Sequence, residues 1–291
     1  MARGYVDPNF PNPNGPNDAD IIIYGYRPSL VLAVLAAVLF GLAVIVAAGL
    51  LIRYKFRAMI FVTMLGAAME VIGYAFRGLS SQKDPYHVTY FVVNYFFIVV
   101  APVFFSAAVY LGLGRVLNLV KDQKQPVSAR AVFVTFLVCD IVTTVMQVVG
   151  AALIGVAESN QKSPTTANNI LLAGLALQTA SFAVFLLVLT YCWAALANGC
   201  QYISSGTAGK SYQQLRPSLV LLLIVALLVQ LRTAFRLAET AQGVFGYLST
   251  HEAFFGALEF APIALAVAGL LVLAVVLERT SGSKAVPVPL A

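Results

Sequence analysis

The chain has 291 residues, of which 60% are hydrophobic and only 10% charged, with a formal net charge of +6. Typical globular domains carry roughly 25% charged residues, so an ordinary water-soluble domain is excluded: too few polar side chains exist to cover its surface. The basic residues fall in short blocks between apolar runs and not in one patch, which speaks for orientation in a bilayer and against nucleic acid as a partner.

In chain order, residues 1–25 are rich in Asn, Pro and Asp and lack an apolar signal core, so they read as a mobile polar tail. Seven apolar stretches follow, each long enough to cross a hydrocarbon layer of about 30 Å. They run over Pro28–Ile52, Ala58–Phe76, Tyr90–Leu117, Ala131–Ala157, Ile170–Ala197, Leu219–Ala241 and Ala253–Leu277. The expected architecture is therefore all-α: a polytopic membrane protein with a seven-helix transmembrane domain over residues 26–277. A cytoplasmic C-terminal tail over 278–291 completes it.

Lys and Arg counts set the direction of insertion. The side of the N-terminus carries five (Arg3, Arg27, Arg77, Lys83 and Lys162). The other side carries eleven, among them Arg53, Lys55 and Arg57 in the first loop and Arg115, Lys121, Lys124 and Arg130 in the third. The N-terminus is expected outside and the C-terminus in the cytoplasm. Arg27-Pro28-Ser29-Leu30-Val31-Leu32 recurs as Arg216-Pro217-Ser218-Leu219-Val220-Leu221, which reads as shared helix-start chemistry, with an inverted repeat as the lesser reading. Pro102 and Pro262 interrupt the third and seventh runs and free backbone carbonyls there. Tyr24, Tyr26, Tyr86, Tyr90 and Tyr247 read as an interfacial aromatic belt.

Ionisable side chains inside apolar runs carry the functional signal, because each costs a few kcal/mol at the bilayer centre. Glu70/Arg77, Asp140/Gln147, Arg232/Glu239 and Glu252/Glu259 are each seven residues apart, so each pair lies on one helix face, and Arg236 falls on the sixth-run stripe. Gln178 adds an amide in the fifth run. Four polar stripes point to a shared polar interior, either an ion-pair lattice that fixes packing or a cavity for a charged headgroup or a proton. Arg236 and Glu239 are placed to pair within the sixth helix, and Arg232 then needs a carboxylate from elsewhere. Five carboxylates face three cations, and Glu252 and Glu259 are expected to be the surplus, since the seventh run has no Lys or Arg.

Other chemistries find little support. Two histidines, His87 and His251, fall short of a His/Asp metal set. Cys139, Cys192 and Cys200 form no metal or disulfide pattern. No lysine lies in any run to form a retinal Schiff base, and no nucleotide-binding loop occurs. No cofactor and no catalytic activity are expected.

The ordered motifs resemble a known family. Tyr26-x-Pro28-Ser29 opens the first run, Glu70-x-x-Gly73-Tyr74-x-x-Arg77 closes the second, and Ala101-Pro102, Tyr110 and Gly114-Arg115 mark the third. Asp140, Gln147 and Gly150 follow, then Gly174 with Gln178, Arg232-x-x-x-Arg236-x-x-Glu239-x-x-x-Gly243, Gly246-Tyr247 and His251-Glu252. This series is similar to the fungal lipid-translocating exporters, the RTA-like seven-helix proteins. Glu259 stands where that family is expected to carry Asp, and Leu258 replaces the aromatic before it. The resemblance implies an exporter or translocator of amphipathic lipids, or a regulator of lipid asymmetry, in the plasma membrane or an endomembrane. It also implies resistance to toxic lipids or drugs.

Cationic amphiphiles such as sphingoid bases would then be matched by Glu70, Asp140, Gln147, Glu239, Glu252 and Glu259, with Arg77, Arg232, Arg236 and Gln178 as the supporting polar network. The expected partners are membrane lipids and an amphipathic lipid or sterol ligand. A seven-helix receptor or sensor signalling through its cytoplasmic loops is the alternative.

Overall fold

The computed structural model describes residues 5–7, 18–19, 22–54, 57–119, 128–159, 165–202, 207–243 and 246–282, with backbone alone at 155–159, 198–202, 207–214 and 281–282. Lys55, Lys121, Lys124, Lys162 and most of both tails, on which part of the orientation count rests, lie outside the described residues.

Helix α1 (Leu30–Arg53) starts where Ser29 takes an extended conformation and its hydroxyl accepts from Leu32 N–H at 3.5 Å. Pro28 sits just ahead of this cap, where a missing N–H costs nothing. Helices α2 (Arg57–Gln82), α3 (Val88–Leu119), α4 (Ala129–Ser159), α5 (Thr165–Tyr202) and α6 (Thr207–Gln242) follow. After the one-turn α7 (Tyr247–Thr250), the seventh span is composite: α8 (Glu252–Phe254), a π turn (Phe255–Phe260) and α9 (Ala261–Gly282). All seven spans are long and apolar enough to cross a bilayer, and the protein is an integral membrane protein.

Burial shows what each helix faces. Only Ala33, Ala36, Phe40 and Ala47 of α1 are buried, while Val31, Val34, Leu42 and Ile45 lie open to lipid. In α3 most of the apolar span is inside, because it packs on α2, α4, α6 and α9 and so runs through the centre of the bundle. Glycines permit the tightest contacts: a Cβ at Gly66 would meet Phe105 at 2.6 Å, and one at Gly150 would meet the Leu171 backbone nitrogen at 2.7 Å. Close approach of this kind replaces the hydrophobic drive that lipid does not provide.

Three expectations need correction. Helix α2 continues past Phe76 to Gln82, so Arg77 is buried inside it and is no loop residue. Removing it leaves four basic residues on the outer side of the count against eleven. Helix α6 begins at Thr207, so Pro217 lies within it, whereas Pro28 precedes α1; the repeated hexapeptide does not share helix-start chemistry. Finally, the described part of the N-terminal stretch is packed, not a free tail. Ile22 and Tyr24 are buried with Tyr86 against Phe91, and Tyr5 O accepts from Ile22 N–H at 2.9 Å. Arg27 donates to Ser81 O through Nη2 at 3.1 Å. Gly25 holds φ at +72° with Thr250 against it, a conformation that side chains disfavour. Tyr24, Tyr26 and Tyr86 therefore turn inward, and of the expected belt only Tyr247 is strongly exposed.

Candidate functional site

Three charged tiers descend through the end of the bundle that carries the N-terminal stretch. At the mouth, Arg77 of α2 donates from Nη2 to Glu252 Oε1 and to the Tyr26 hydroxyl, both at 2.8 Å. Its guanidinium carbon lies 4.0 Å from the Phe255 ring centre, 5.3 Å from Tyr24 and 5.7 Å from Tyr26. Aromatic faces at that range stabilise a cation that burial would otherwise penalise. The Glu252 carboxylate also accepts from Ser29 N–H at 2.9 and 3.1 Å, which ties the seventh span to the start of α1. Burial pushes the Tyr24 and Tyr26 hydroxyls above the ordinary tyrosine range, against the pull of the Arg77 charge.

One turn deeper, Arg236 of α6 donates from Nη1 to Glu239 Oε2 at 2.7 Å and lies 4.9 Å from the Tyr95 ring centre. Its Nε faces Glu259 Oε2 at 3.8 Å. A further turn down, Arg232 donates to Glu259 Oε1 from Nε at 2.9 Å and from Nη2 at 2.6 Å. The same Nη2 donates to Ile98 O at 2.8 Å. That contact follows from the sequence of α3: Pro102 has no N–H, so the carbonyl four residues earlier, Ile98, has no helical donor. Arg232 supplies the missing donor, and the proline becomes a socket for a buried guanidinium.

The second proline acts on the seventh span. Pro262 offers no N–H to the preceding turn, and the chain widens there, with Ala261 N–H reaching back to Gly256 O. A π turn advances less per residue than an α turn, so the seven-residue spacing no longer holds Glu252 and Glu259 on one line. Glu252 turns to Arg77 and Glu259 to Arg232. Both members of the expected surplus pair thus have an arginine, although Glu259 Oε2 makes no hydrogen bond among the described residues. Of the five carboxylates singled out from sequence, Glu70 and Asp140 have no ion pair among the described residues. Glu70 is 2% exposed and makes no hydrogen bond among the described residues, while the charges of Arg232, Glu259 and Arg236 act on it from α6 and the seventh span.

Asp140 belongs to a separate region. It is wholly buried, accepts from the Tyr110 hydroxyl at 2.8 Å with Ser106 beside it, and sits against the ring cluster Tyr110, Phe136, Phe182 and Phe185. Gln147 Nε2 donates to Gln178 Oε1 at 2.7 Å, where Gly174 lets α4 and α5 close. The four stripes therefore form two polar groups, not one: the guanidinium tiers of α2, α6 and the seventh span, and the cation-free side chains of α3, α4 and α5.

Beside the upper tiers lies a cavity of about 600 Å³. Its polar wall includes Arg77, Arg236, Glu239, Tyr24, Tyr26 and Tyr95, with Asn94 and Asn168 beside them. Its apolar wall comes from α3 (Phe91, Val92, Phe96 and others), the end of α4 (Val148, Ala151, Ala152) and Leu171 of α5. Val92 and Phe96 are also 53% and 39% exposed, so the cavity reaches the lipid-facing surface between α3 and α4. Among the site residues expected from sequence, Arg77, Arg236 and Glu239 line it; Glu70, Asp140, Gln147, Gln178, Arg232, Glu252 and Glu259 do not. Sequence reasoning passed over Tyr95, Asn94 and Asn168. Asn94, buried and donating to Gly73 O at 2.7 Å, had a usable signal as an amide inside an apolar run.

Residues 63–278 match the family model described as RTA1 like protein. Protein RTM1 of Saccharomyces cerevisiae is 27% identical over 218 residues, covering 75% of this chain and 67% of its own length. The sphingoid long-chain base transporter RSB1 of Saccharomyces cerevisiae (strain Lalvin EC1118 / Prise de mousse) is 28% identical over 232 residues, 70% of this chain and 60% of its own. Protoporphyrin uptake protein 1 of Saccharomyces cerevisiae (strain ATCC 204508 / S288c) is 27% identical over 207 residues, 69% and 64% respectively. The chain thus spans 60% to 67% of the length of these relatives. No solved structure matches. The matched segment holds the arginines and carboxylates of the charged tiers, both prolines and the last six spans, from within α2 to α9, and on that match the chain belongs to the RTA1-like protein family.

Proposed function

We propose that the protein moves long-chain amphipathic lipids, sphingoid bases among them, between the bilayer and its outer face. The observation that carries this reading is the cavity, polar and charged at one wall, apolar at the other, and open sideways between α3 and α4. A lipid entering there would keep its chain against Val92, Phe96 and Ala151 and bring its head to Glu239, Tyr95 and Tyr26. Glu239 is the one carboxylate among the lining residues, and its Oε1 makes no hydrogen bond among the described residues. It would receive an ammonium, while Glu252 and Glu259 hold the arginines that shape the site.

The names of two relatives, a sphingoid base transporter and a protoporphyrin uptake protein, favour amphiphile movement over signalling. We place the cavity mouth outside the cytoplasm, in keeping with the basic-residue asymmetry, and the protein in the plasma membrane. Resistance to toxic lipids is the expected phenotype.

The test is flux of a fluorescent long-chain base in proteoliposomes. Ala151→Trp fills the cavity without touching a charged group, and flux should fall to the protein-free rate while the folded yield holds. Wild-type flux through that variant would remove the cavity from the path.

A further inference from the structure

The charge and hydrogen-bond pattern of the polar wall says more about the head it receives. We infer that the cavity is built for an amphiphile whose head carries an oxyanion beside an ammonium, as in a phosphorylated amino-alcohol lipid. This rests on the cavity being the lipid site.

The lining residues bring two guanidinium groups, Arg77 and Arg236, against one carboxylate, Glu239. Glu239 Oε2 is taken by Arg236 Nη1, so a single carboxylate oxygen remains for a ligand. The donors are more numerous. Arg236 Nη2 and Arg77 Nη1 make no hydrogen bond among the described residues. The Tyr26 oxygen accepts from Arg77 Nη2, which leaves its own O–H to donate. Tyr26 lies in the fields of Arg77, Glu252 and Glu239 together.

An ammonium is itself all donor. Bound alone, it would satisfy Glu239 Oε1 and leave the free guanidinium edges of Arg77 and Arg236 unmatched. A phosphate beside the amine supplies the acceptors. Planar guanidinium forks match phosphate oxygens in two parallel bonds, and such charge-assisted bonds are about twice as strong as neutral ones. The head then sits with its ammonium at Glu239 and its oxyanion against Arg236, Arg77 and the Tyr26 hydroxyl, and its chain leaves past Val92 and Phe96.

Displacement of tritiated sphinganine from the purified full chain in maltoside micelles tests this with no mutation. Unlabelled sphinganine 1-phosphate should displace it at a concentration about tenfold lower than sphinganine, the effect of roughly one charge-assisted bond. Octadecyl phosphate should fall between them, and inorganic phosphate should displace nothing at matched concentration. Arg236→Lys, which keeps the charge and loses the fork, should bring sphinganine and its phosphate together.

Equal or better displacement by sphinganine overturns the inference and leaves the transport reading standing. Survival of the phosphate preference in an Arg77→Lys, Arg236→Lys double variant overturns it too. Displacement by inorganic phosphate alone would make the wall a simple anion site. Absence of saturable binding by every amphiphile would remove the cavity reading and the inference together.

Discussion

Both polar groups of the bundle bury carboxylates, and they stabilise them in opposite ways. Around α2, α6 and the seventh span, Glu252, Glu239 and Glu259 each meet a guanidinium within 2.8 Å. Around α3, α4 and α5, Asp140 has no cation among the described residues but the Tyr110 hydroxyl, Ser106 and a shell of aromatic rings. The first region borders the cavity through Arg77, Arg236 and Glu239. The second is sealed by Phe136, Phe182 and Phe185, so its hydroxyl–carboxylate contact fixes α3 against α4 without opening a path. Polar residues inside apolar runs thus border open space in one region and are packed shut in the other.

The sharpest way to break this comparison is to remove one cation. Arg232→Gln strips Glu259 Oε1 of its partner and Ile98 O of its donor, and losing one member of a buried pair costs about 3–5 kcal/mol. The variant should lose most of its folded, monodisperse yield in detergent; near-normal thermal stability would show that the lower tier is not a structural latch. A smaller effect is expected in the sealed region. Tyr110→Phe leaves Asp140 Oδ2 without its phenol donor at a cost of about 1–3 kcal/mol, and Asp140→Asn in the same background should recover part of the lost melting temperature. No recovery would mean that Asp140 does not depend on that contact.

Helix approach between α4 and α5 gives a third test of similar or lower size. Gly150→Ala puts a methyl against the Leu171 backbone nitrogen at 2.7 Å, and overpacking of this kind costs about 1–3 kcal/mol. Wild-type stability would show that the two helices separate freely there.

The smallest effect concerns the N-terminal stretch. Because burial holds the Tyr24 and Tyr26 hydroxyls above the usual range, the folded protein keeps their protons at a pH where the unfolded chain has released them. Their contribution to stability is therefore complete below the unfolded tyrosine value of about 10 and is lost as pH rises through the folded values. Difference spectra at the tyrosinate band between the wild type and a Tyr24→Phe, Tyr26→Phe variant should stay flat up to about pH 10 and diverge only above it. Divergence at or below that pH would place both hydroxyls in water.

The seven spans were legible from composition and run length, because a bilayer demands roughly 20 apolar residues per helix whatever the neighbours are. The stripes of Glu70/Arg77, Asp140/Gln147 and Arg232/Glu239 were legible too, since helical periodicity is local. So was the Arg236–Glu239 pair three residues apart, and so was the need of Arg232 for a carboxylate outside its own helix. The choice of that carboxylate was not. It depends on the π turn before Pro262, which turns Glu259 to α6 and Glu252 to α2, and on α3 bringing the proline-freed Ile98 carbonyl to Arg232. The cavity was equally hidden: it exists because α3, α4, α5 and α6 stand apart near the N-terminal stretch, while Tyr110, Phe182 and Phe185 fill the same space further down. Span number and polar stripes are properties of one helix at a time. Ion partners and empty space are properties of several helices at once, and only the tertiary structure decides them.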